Sequence, residues 1–332
     1  MLRAYYAGVD LGGTKTAVAI GDGHSTTLVA NRTIETQGER GPDDVLARIA
    51  ATIDTLRRDA GVSIEAICMG VPGLCDIEQG RVLFCPNLTG YWRGIEAAAI
   101  LNAATGAPVR LLNDARAAAF GEFRFGDRPG SDLIMVTVGT GIGGGVVLDG
   151  RLRLGRFGAA GEIGHQTIVP NGVPCGCGNH GCVESVASGP ALTAEGVRLL
   201  RIGLAPHLHE LVSGDAGAVT PTRMAQAADA GDREIEAAIT RAARWLGVGI
   251  ANAVTLLGVE RVVLTGGMSA LGERLLAPIR TEIQHRVRMF PPSDVTVARS
   301  TIGEGAGLLG AIAWAATTEV KEKTTWTTTT QT

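Results

Sequence analysis

The stretch that decides the fold covers residues 6–20 and reads Tyr-Ala-Gly-Val-Asp-Leu-Gly-Gly-Thr-Lys-Thr-Ala-Val-Ala-Ile. Apolar and β-branched residues on both sides of a glycine pair predict a strand, a glycine turn and a second strand. The pattern returns at residues 132–148, which read Asp-Leu-Ile-Met-Val-Thr-Val-Gly-Thr-Gly-Ile-Gly-Gly-Gly-Val-Val-Leu. This echo indicates an internal duplication, and we expect the two hairpins to face each other across a cleft.

The rest of the chain alternates between strand-like and helix-like periodicity, which predicts an α/β fold. A mostly helical region is expected after residue 184, and the Thr-rich tail is expected to be disordered. Strands are predicted over residues 28–36, 66–71, 109–112 and 261–264, and helices over 42–60, 115–122, 237–257 and 305–316.

Composition limits the classes of function. The chain has 332 residues, 45% of them hydrophobic, and a formal net charge of -3. A chain of this length can bury a large core, and its charge does not favour a nucleic-acid or membrane-surface partner. No leader pattern and no apolar run of about 20 residues is visible. We therefore expect a cytoplasmic protein whose cysteines are thiols or metal ligands rather than disulfides.

A dense cluster of metal-binding residue types lies at residues 162–184, which begin Glu-Ile-Gly-His and end Cys-Gly-Cys-Gly-Asn-His-Gly-Cys-Val-Glu. Three thiols and one imidazole form the ligand set of a closed tetrahedral zinc site, and intervening glycines permit a tight loop. Because four protein ligands leave no open position, the predicted zinc is structural. His180 in the same loop is an alternative ligand. The predicted ligands are His165, Cys175, Cys177 and Cys182.

Three glycine-rich turns are candidate phosphate or nucleotide contacts, because exposed backbone N–H groups bind anions. Residues 10–15 add a cation and a carboxylate that can reach a magnesium ion, and residues 139–145 contain a GxGxxG match. No helix pattern follows that match, so we reject a dinucleotide site. Ordinary turns without a ligand remain the alternative at each place. The candidates are Asp10, Gly12, Gly13, Thr14, Lys15, Gly139, Thr140, Gly141, Gly143, Gly144, Gly266 and Gly267.

Candidate acid–base and polar-ligand residues follow the strand at 109–112 and flank the cysteine cluster. Asp114 stands at the carboxyl end of that strand, where ligands bind in open α/β sheets, and it can accept a proton from a hydroxyl. A helix N-cap is its alternative role. Glu162 and His165 are three residues apart and can face one direction, while Glu184 follows the last cysteine. The alternative for both glutamates is a surface charge or a support for the metal ligands.

In order along the chain, these motifs resemble the ROK family of sugar kinases and repressors, over residues 5 to about 316. The cysteine motif with its upstream histidine is the most specific match, whereas the first glycine turn is shared more widely by actin-like ATPases. The matching segments are 10–15, 70–73, 113–114, 139–144, 162–165, 175–182 with Glu184, and 265–267.

The resemblance implies a duplicated, ribonuclease H-like actin-type ATPase fold with a nucleotide cleft between two domains. A small α/β domain at 1–113 would be completed by a C-terminal helix at 303–318. A large domain at 114–302 would carry the second phosphate turn, the zinc cluster and an adenosine corner, and 319–332 would be a disordered tail. Homodimers or homotetramers are also implied.

The resemblance further implies an ATP-dependent hexose kinase that uses Mg²⁺ and phosphorylates glucose at the 6-hydroxyl, with Asp114 as the general base. Kinases for N-acetylmannosamine, N-acetylglucosamine, fructose or an amino sugar are alternatives, as is a sugar-sensing regulator. The loop at residues 86–92 carries an additional Tyr91 relative to the common glucokinase pattern. The implied sugar ligands are Gly73, Asn87, Asn113, Asp114, Glu162, His165 and Glu184.

Overall fold

A computed structural model describes residues 4–85, 88–127 and 130–317. The strands are β1 (Tyr6–Leu11), β2 (Lys15–Gly21), β3 (Leu28–Glu35), β4 (Ala66–Val71), β5 (Leu74–Asp76), β6 (Arg81–Phe84), β7 (Val109–Asn113), β8 (Leu133–Val138), β9 (Ile142–Leu148), β10 (Arg151–Arg153), β11 (Arg261–Thr265) and β12 (Thr296–Arg299). The helices are α1 (Pro42–Ala60), α2 (Ala97–Thr105), α3 (Asp114–Phe125), α4 (Val183–Ala187), α5 (Gly189–Arg201), α6 (Pro206–Leu211), α7 (Pro221–Asp229), α8 (Arg233–Leu257), α9 (Glu273–Arg286) and α10 (Ala306–Ala315).

Two five-stranded sheets share one topology. The first has the order β3-β2-β1-β4-β7 and the second the order β10-β9-β8-β11-β12. In each sheet a glycine hairpin pairs antiparallel. A later strand pairs in parallel with the first strand of the hairpin, and a second later strand pairs in parallel with that one. The second sheet therefore repeats the first strand for strand, as the sequence echo predicts. A small ribbon of β5 and β6 follows β4.

Most element boundaries agree with the sequence patterns, and the exceptions have local causes. Helix α1 spans the predicted residues because Pro42 opens it and Gly61, with φ of 64°, ends it in the left-handed conformation. Helix α8 begins four residues before its predicted start at residue 237. Its first turn is polar, with Glu234 and Glu236 at the positive end of the helix dipole, so apolar periodicity does not reveal it.

Helices α10 and α3 form the layer between the two sheets. Helix α10 packs on β1, where a Cβ on Gly8 would lie 2.6 Å from Ile312 Cγ1. Helix α3 packs on β9, where a Cβ on Gly145 would overlap that of Ala119. The two helices cross so closely that a Cβ on Gly310 would overlap the carbonyl of Ala117. Glycine at these contacts lets the backbones approach.

This layering brings the carboxyl ends of the parallel strands toward one cleft. In the first sheet β1, β4 and β7 end at Leu11, Val71 and Asn113, and in the second β8 and β11 end at Val138 and Thr265. Ligand sites in open α/β sheets form at such edges. Asp10, Gly73, Asp114 and the tips of the three glycine turns lie in or just after these ends, whereas the candidates at residues 162–184 lie in the segment after β10.

Within the described residues, none of the helices combines the length and the apolar character that a membrane span requires.

We expect Gly310→Ala to lower the free energy of unfolding by about 3 kcal/mol, because the obstructing atom is a backbone carbonyl of α3 that cannot rotate away. Urea denaturation followed by circular dichroism measures the loss. Gly305→Ala is the matched control, because its Cβ would meet only Leu309 Cδ1 at 3.9 Å and its φ is -74°. Equal stability of the two variants would contradict the tight crossing.

Candidate functional site

Asp114 is the first residue of α3, directly after β7. The helix is capped by its neighbour, since Asn113 Oδ1 accepts hydrogen bonds from the backbone N–H groups of Ala115 and Arg116 at 3.0 and 3.2 Å. Asp114 Oδ1 accepts a further bond from the Ala115 N–H at 2.7 Å. The N-cap is therefore Asn113, so capping does not explain the carboxylate at Asp114.

The environment of Asp114 makes its carboxylate more basic than usual. Burial raises the pKa of Asp114 to about 6, and the hydrogen bond from the Ala115 N–H opposes this rise. The Asp10 carboxylate raises the pKa further, while the Arg116 guanidinium lowers it and Glu162 raises it. Burial also raises the pKa of Asp10 itself. Two carboxylates thus share the cleft, and Asp114 is tuned toward accepting a proton near neutral pH.

Glu162 and His165 lie next to each other in the structure. Residues Ile163–His165 form one 3-10 turn, with Glu162 immediately before it. Glu162 Oε2 lies 3.9 Å from His165 Nε2, while its Oε1 accepts from Arg116 Nη2 at 2.8 Å. The shared direction predicted from the three-residue spacing is confirmed.

Arg116 is a further residue of the site that the sequence patterns do not reveal. It is 1% exposed, and its guanidinium donates to Asn113 Oδ1, the Ala160 carbonyl and Glu162 Oε1, each at 2.8 Å. The available signal was a single arginine three residues after Asn113, among alanines and a phenylalanine of α3. A long cation on a buried, small-residue helix face needs acceptors nearby.

The loops after β4 and β6 hold the remaining predicted sugar contacts. Gly73 has φ of 101°, and its carbonyl accepts from Asn113 Nδ2 at 2.8 Å, which joins it to the start of α3. Asn87 lies outside the described residues. Tyr91 is 75% exposed, whereas the next residue, Trp92, is buried.

The four predicted metal ligands converge. One ligand atom from each of His165, Cys175, Cys177 and Cys182 lies within 4.8 Å of all the others. Cys177 Sγ and Cys182 Sγ are 3.8 Å apart, and Cys175 Sγ is 3.6 Å from His165 Nδ1. Bonds of roughly 2.3 Å to sulfur and 2.0 Å to nitrogen give tetrahedral edges of about 3.5 to 3.8 Å. The donor set therefore fits a zinc-sized tetrahedral ion. His180 is not part of this set.

Glu184 joins this cluster to the second glycine turn. Its Oε2 accepts from the Ile142 N–H at 2.8 Å, and its Oε1 lies 3.7 Å from Cys175 Sγ. A Cβ on Gly141 would come within 2.6 Å of that same Oε2, so the turn lies directly against the carboxylate. In this arrangement Glu184 supports the turn, and its role as a sugar ligand stays a prediction.

The first glycine turn connects β1 to β2. Gly12 N–H donates to the Lys15 carbonyl at 3.1 Å, and a Cβ on Gly12 would lie 2.6 Å from that oxygen. Thr36 braces the turn, because its hydroxyl donates to the Gly12 carbonyl at 2.7 Å and its N–H donates to the Thr14 carbonyl at 2.8 Å. Gly13, Thr14 and Lys15 are exposed, so they are free to meet a ligand.

The second and third glycine corners are neighbours, since β8 and β11 pair in parallel. Gly139 N–H donates to the Gly141 carbonyl at 2.9 Å to close the turn, and Thr140 at its tip is exposed. A Cβ on Gly266 would lie 2.6 Å from the Val138 carbonyl, and Gly267 is exposed beside it.

Gly143 and Gly144 lie inside β9 rather than in the turn. A Cβ on Gly143 would lie 3.0 Å from that of Ala115, and one on Gly144 would lie 2.7 Å from the Gly161 carbonyl. Their glycine identity is therefore explained by packing against the start of α3 and the segment before Glu162. Their contact with a nucleotide remains a prediction.

We expect Asp114→Asn to be more stable than the parent at pH 8, by roughly 3 kcal/mol. A carboxyl whose pKa is raised from 3.8 to about 6 in the folded state costs stability as it ionises, so the parent loses this amount between about pH 4 and pH 6. The amide carries no charge at any pH. Denaturation at pH 4 and pH 8 measures the difference, and a pH-independent difference would contradict the burial of this charge.

Comparison with known proteins agrees with this geometry. The model of the ROK family matches residues 6–318. A glucokinase of Streptomyces coelicolor is 34% identical over 312 residues, covering 92% of this chain and 95% of the relative. A glucokinase of Thermotoga maritima is 37% identical over 308 residues, covering 92% of this chain and 95% of the relative.

Solved structures agree as well. The structure of a ROK family glucokinase from Streptomyces griseus, in complex with glucose and AMPPNP, is 32% identical. It matches with a TM-score of 0.78 over 94% of this chain and 99% of that chain. The expected actin-like ATPase fold is thereby confirmed. The two repeated sheets and the converging His/Cys cluster agree with a family match over nearly the whole chain. The chain therefore belongs to the ROK family.

Proposed function

We propose that this protein is an ATP-dependent hexose kinase of the glucokinase type, which forms glucose 6-phosphate. The observation that carries the proposal is the buried Asp114, whose pKa is raised to about 6 at the carboxyl edge of the first sheet. The carboxylates of Asp10 and Glu162 both raise its pKa further. Three relatives that are 32%, 34% and 37% identical, each over more than nine-tenths of the chain, are named glucokinases.

In the proposed reaction, Asp114 accepts the proton of the sugar 6-hydroxyl as the oxygen attacks the γ-phosphorus of MgATP, while the bond from that phosphorus to the bridging oxygen breaks and ADP leaves. Its raised pKa leaves it mostly ionised at pH 7 and makes it a stronger base than an ordinary aspartate. With Nδ1 of His165 on the proposed zinc, its Nε2–H is a donor and Glu162 beside it is an acceptor, a pair that suits the remaining sugar hydroxyls. The proposed sugar contacts are Gly73, Asn87, Asn113, Asp114, Glu162, His165 and Glu184.

The proposed nucleotide site uses the three glycine corners. Exposed backbone N–H groups and Lys15 neutralise phosphate charge, and Asp10 holds the Mg²⁺ of the substrate directly or through water. The corner at Gly266 and Gly267 suits a flat nucleoside that lies against the backbone. Residues Gly12, Gly13, Thr14, Gly139, Thr140, Gly141, Gly143 and Gly144 complete the proposed set.

The proposal includes the domain division, with a small domain at 1–113 completed by 303–318 and a large domain at 114–302. Closure of such domains excludes water, which would otherwise compete with the sugar hydroxyl for the phosphoryl group. We also propose a cytoplasmic homodimer or homotetramer.

The proposed zinc is structural. His165 Nδ1 and the sulfurs of Cys175, Cys177 and Cys182 would hold it, and four protein ligands leave no open position for Lewis-acid chemistry. When bound, the ion cross-links the loop that carries Glu184. The imidazole then keeps Nε2 directed toward Glu162 and the sugar.

We expect selective ADP release with MgATP and glucose, compared with mannose, fructose, N-acetylglucosamine, N-acetylmannosamine and glucosamine. Asp114→Asn should lower kcat by roughly 10²- to 10⁴-fold, because a positioned base is lost. Near-parental turnover in that variant would overturn the assignment of the base.

Each outcome of the panel assigns the substrate differently. Selective turnover of another sugar would keep the kinase chemistry and direct attention to the loop with the additional Tyr91, which is largely exposed. Turnover with polyphosphate in place of ATP would change the donor only. Turnover with none of these sugars and neither donor would contradict the proposed function.

We expect Cys177→Ser to lose bound zinc and to melt at a lower temperature, because the tetrahedral set loses one sulfur. Zinc content after desalting and thermal denaturation measure both effects. The internal control is a chelator, which should lower the melting temperature of the parent protein and leave that of the variant unchanged. A metal-free parent of full stability would refute a structural role.

A further inference from the structure

Arg116 is a buried cation in the middle of the candidate sugar site. It is 1% exposed, and a buried guanidinium is tolerated only when its N–H groups have acceptors. Nε, Nη1 and Nη2 donate to the Ala160 carbonyl, Asn113 Oδ1 and Glu162 Oε1, each at 2.8 Å. The planar guanidinium thus donates to two neutral acceptors and one charged acceptor.

These acceptors come from separate parts of the chain. Asn113 ends β7 in the first sheet, whereas Ala160 and Glu162 lie in the segment that follows β10 of the second sheet. Asn113 extends the connection, because its Nδ2 donates to the Gly73 carbonyl at 2.8 Å. A single side chain therefore connects both walls of the site. The amide of Asn113 is also oriented, since its oxygen is directed to Arg116 and its nitrogen to Gly73.

The carboxylate of Glu162 is held at one oxygen and open at the other. Oε1 is fixed by Arg116, while Oε2 lies 3.9 Å from His165 Nε2. The Glu162 side chain is 36% exposed, so one face remains available to a ligand. A group that is already oriented before the ligand arrives does not have to be ordered on binding, which favours affinity.

Lysine cannot reproduce this arrangement. An ammonium group carries the charge but lacks the planar fork that donates in three fixed directions. The charge and the geometry of Arg116 can therefore be separated by substitution, which makes its role testable.

We propose that Arg116 is a positioning residue for the sugar: it holds Glu162 and Asn113 in their binding geometry and so sets hexose affinity rather than nucleotide affinity. The inference rests on the proposed hexose kinase function. Arg116 itself is enclosed by its partners and acts on the substrate through them.

The test compares Arg116→Met and Arg116→Lys with the parent protein by steady-state kinetics and by calorimetric titration of the hexose that the parent phosphorylates. We expect the sugar KM and Kd to rise 10- to 100-fold in Arg116→Met, with a smaller rise in Arg116→Lys. The KM for MgATP should stay within twofold. Arg261→Met is the matched control, because Arg261 is also buried and donates to the Asp132 carbonyl at the far end of β11.

A second arm tests whether Arg116 acts through Glu162. In a Glu162→Ala background, Arg116→Lys should weaken hexose binding by a smaller factor than in the parent background, because the Glu162 acceptor is already removed and only the contact with Asn113 remains to be changed. Full additivity would overturn the inference, as would equal losses of sugar and nucleotide affinity in the single variants. If Arg116→Met fails to fold, the lysine variant and this double variant decide the question.

The inference and the proposed function fail in different ways. A parent protein that phosphorylates a hexose, with Arg116 variants of unchanged sugar KM and Kd, would overturn only the inference. A parent protein that neither binds nor phosphorylates any hexose would overturn both.

Discussion

The crossing of α3 and α10 is the constraint on which the rest of the structure depends. The backbones approach because Gly310 faces the Ala117 carbonyl and Gly121 faces that of Ala306, where a Cβ would overlap each oxygen. Helix α10 lies on β1 and α3 on β9, so this contact fixes the separation of the two sheets. A larger residue at the crossing would move the carboxyl edges of the sheets apart, and with them the groups that meet in the cleft.

The electrostatics of the site follow from that enclosure. Asp114 gains basicity from burial, and the neighbouring Asp10 adds to it, while the enclosed guanidinium of Arg116 acts against it. Without Arg116, the carboxylates of Asp10, Asp114 and Glu162 would share the cleft. No cation would then remain among the groups that shift the pKa of Asp114. A cation held by three protein acceptors lowers the pKa of Asp114 and orients the neighbouring side chains at the same time.

The His/Cys cluster and the second glycine turn are connected by direct contacts. Glu184 touches Cys175 through one carboxylate oxygen and the Ile142 N–H through the other. The Gly189 N–H, in the first turn of α5, also donates to the Gly139 carbonyl at 2.8 Å. A change in the position of the loop that carries the thiols would therefore displace the second glycine turn at the cleft. Through this connection, an ion bound at the proposed zinc site would support the cleft without taking part in its chemistry.

The sequence by itself determined the local elements and the local ligand sets. Helix α1, the two glycine hairpins and the four His/Cys ligands were predictable because their signals lie within a few residues of each other. Only the tertiary structure decided the burial of Arg116, the turning of Glu184 toward Ile142 and the packing role of Gly143. Each of these depends on a partner far away in the chain, such as Glu162 for Arg116, 46 positions later. Periodicity and spacing report neighbours along the chain, whereas charge pairing and close packing are set by which distant segments the fold brings together.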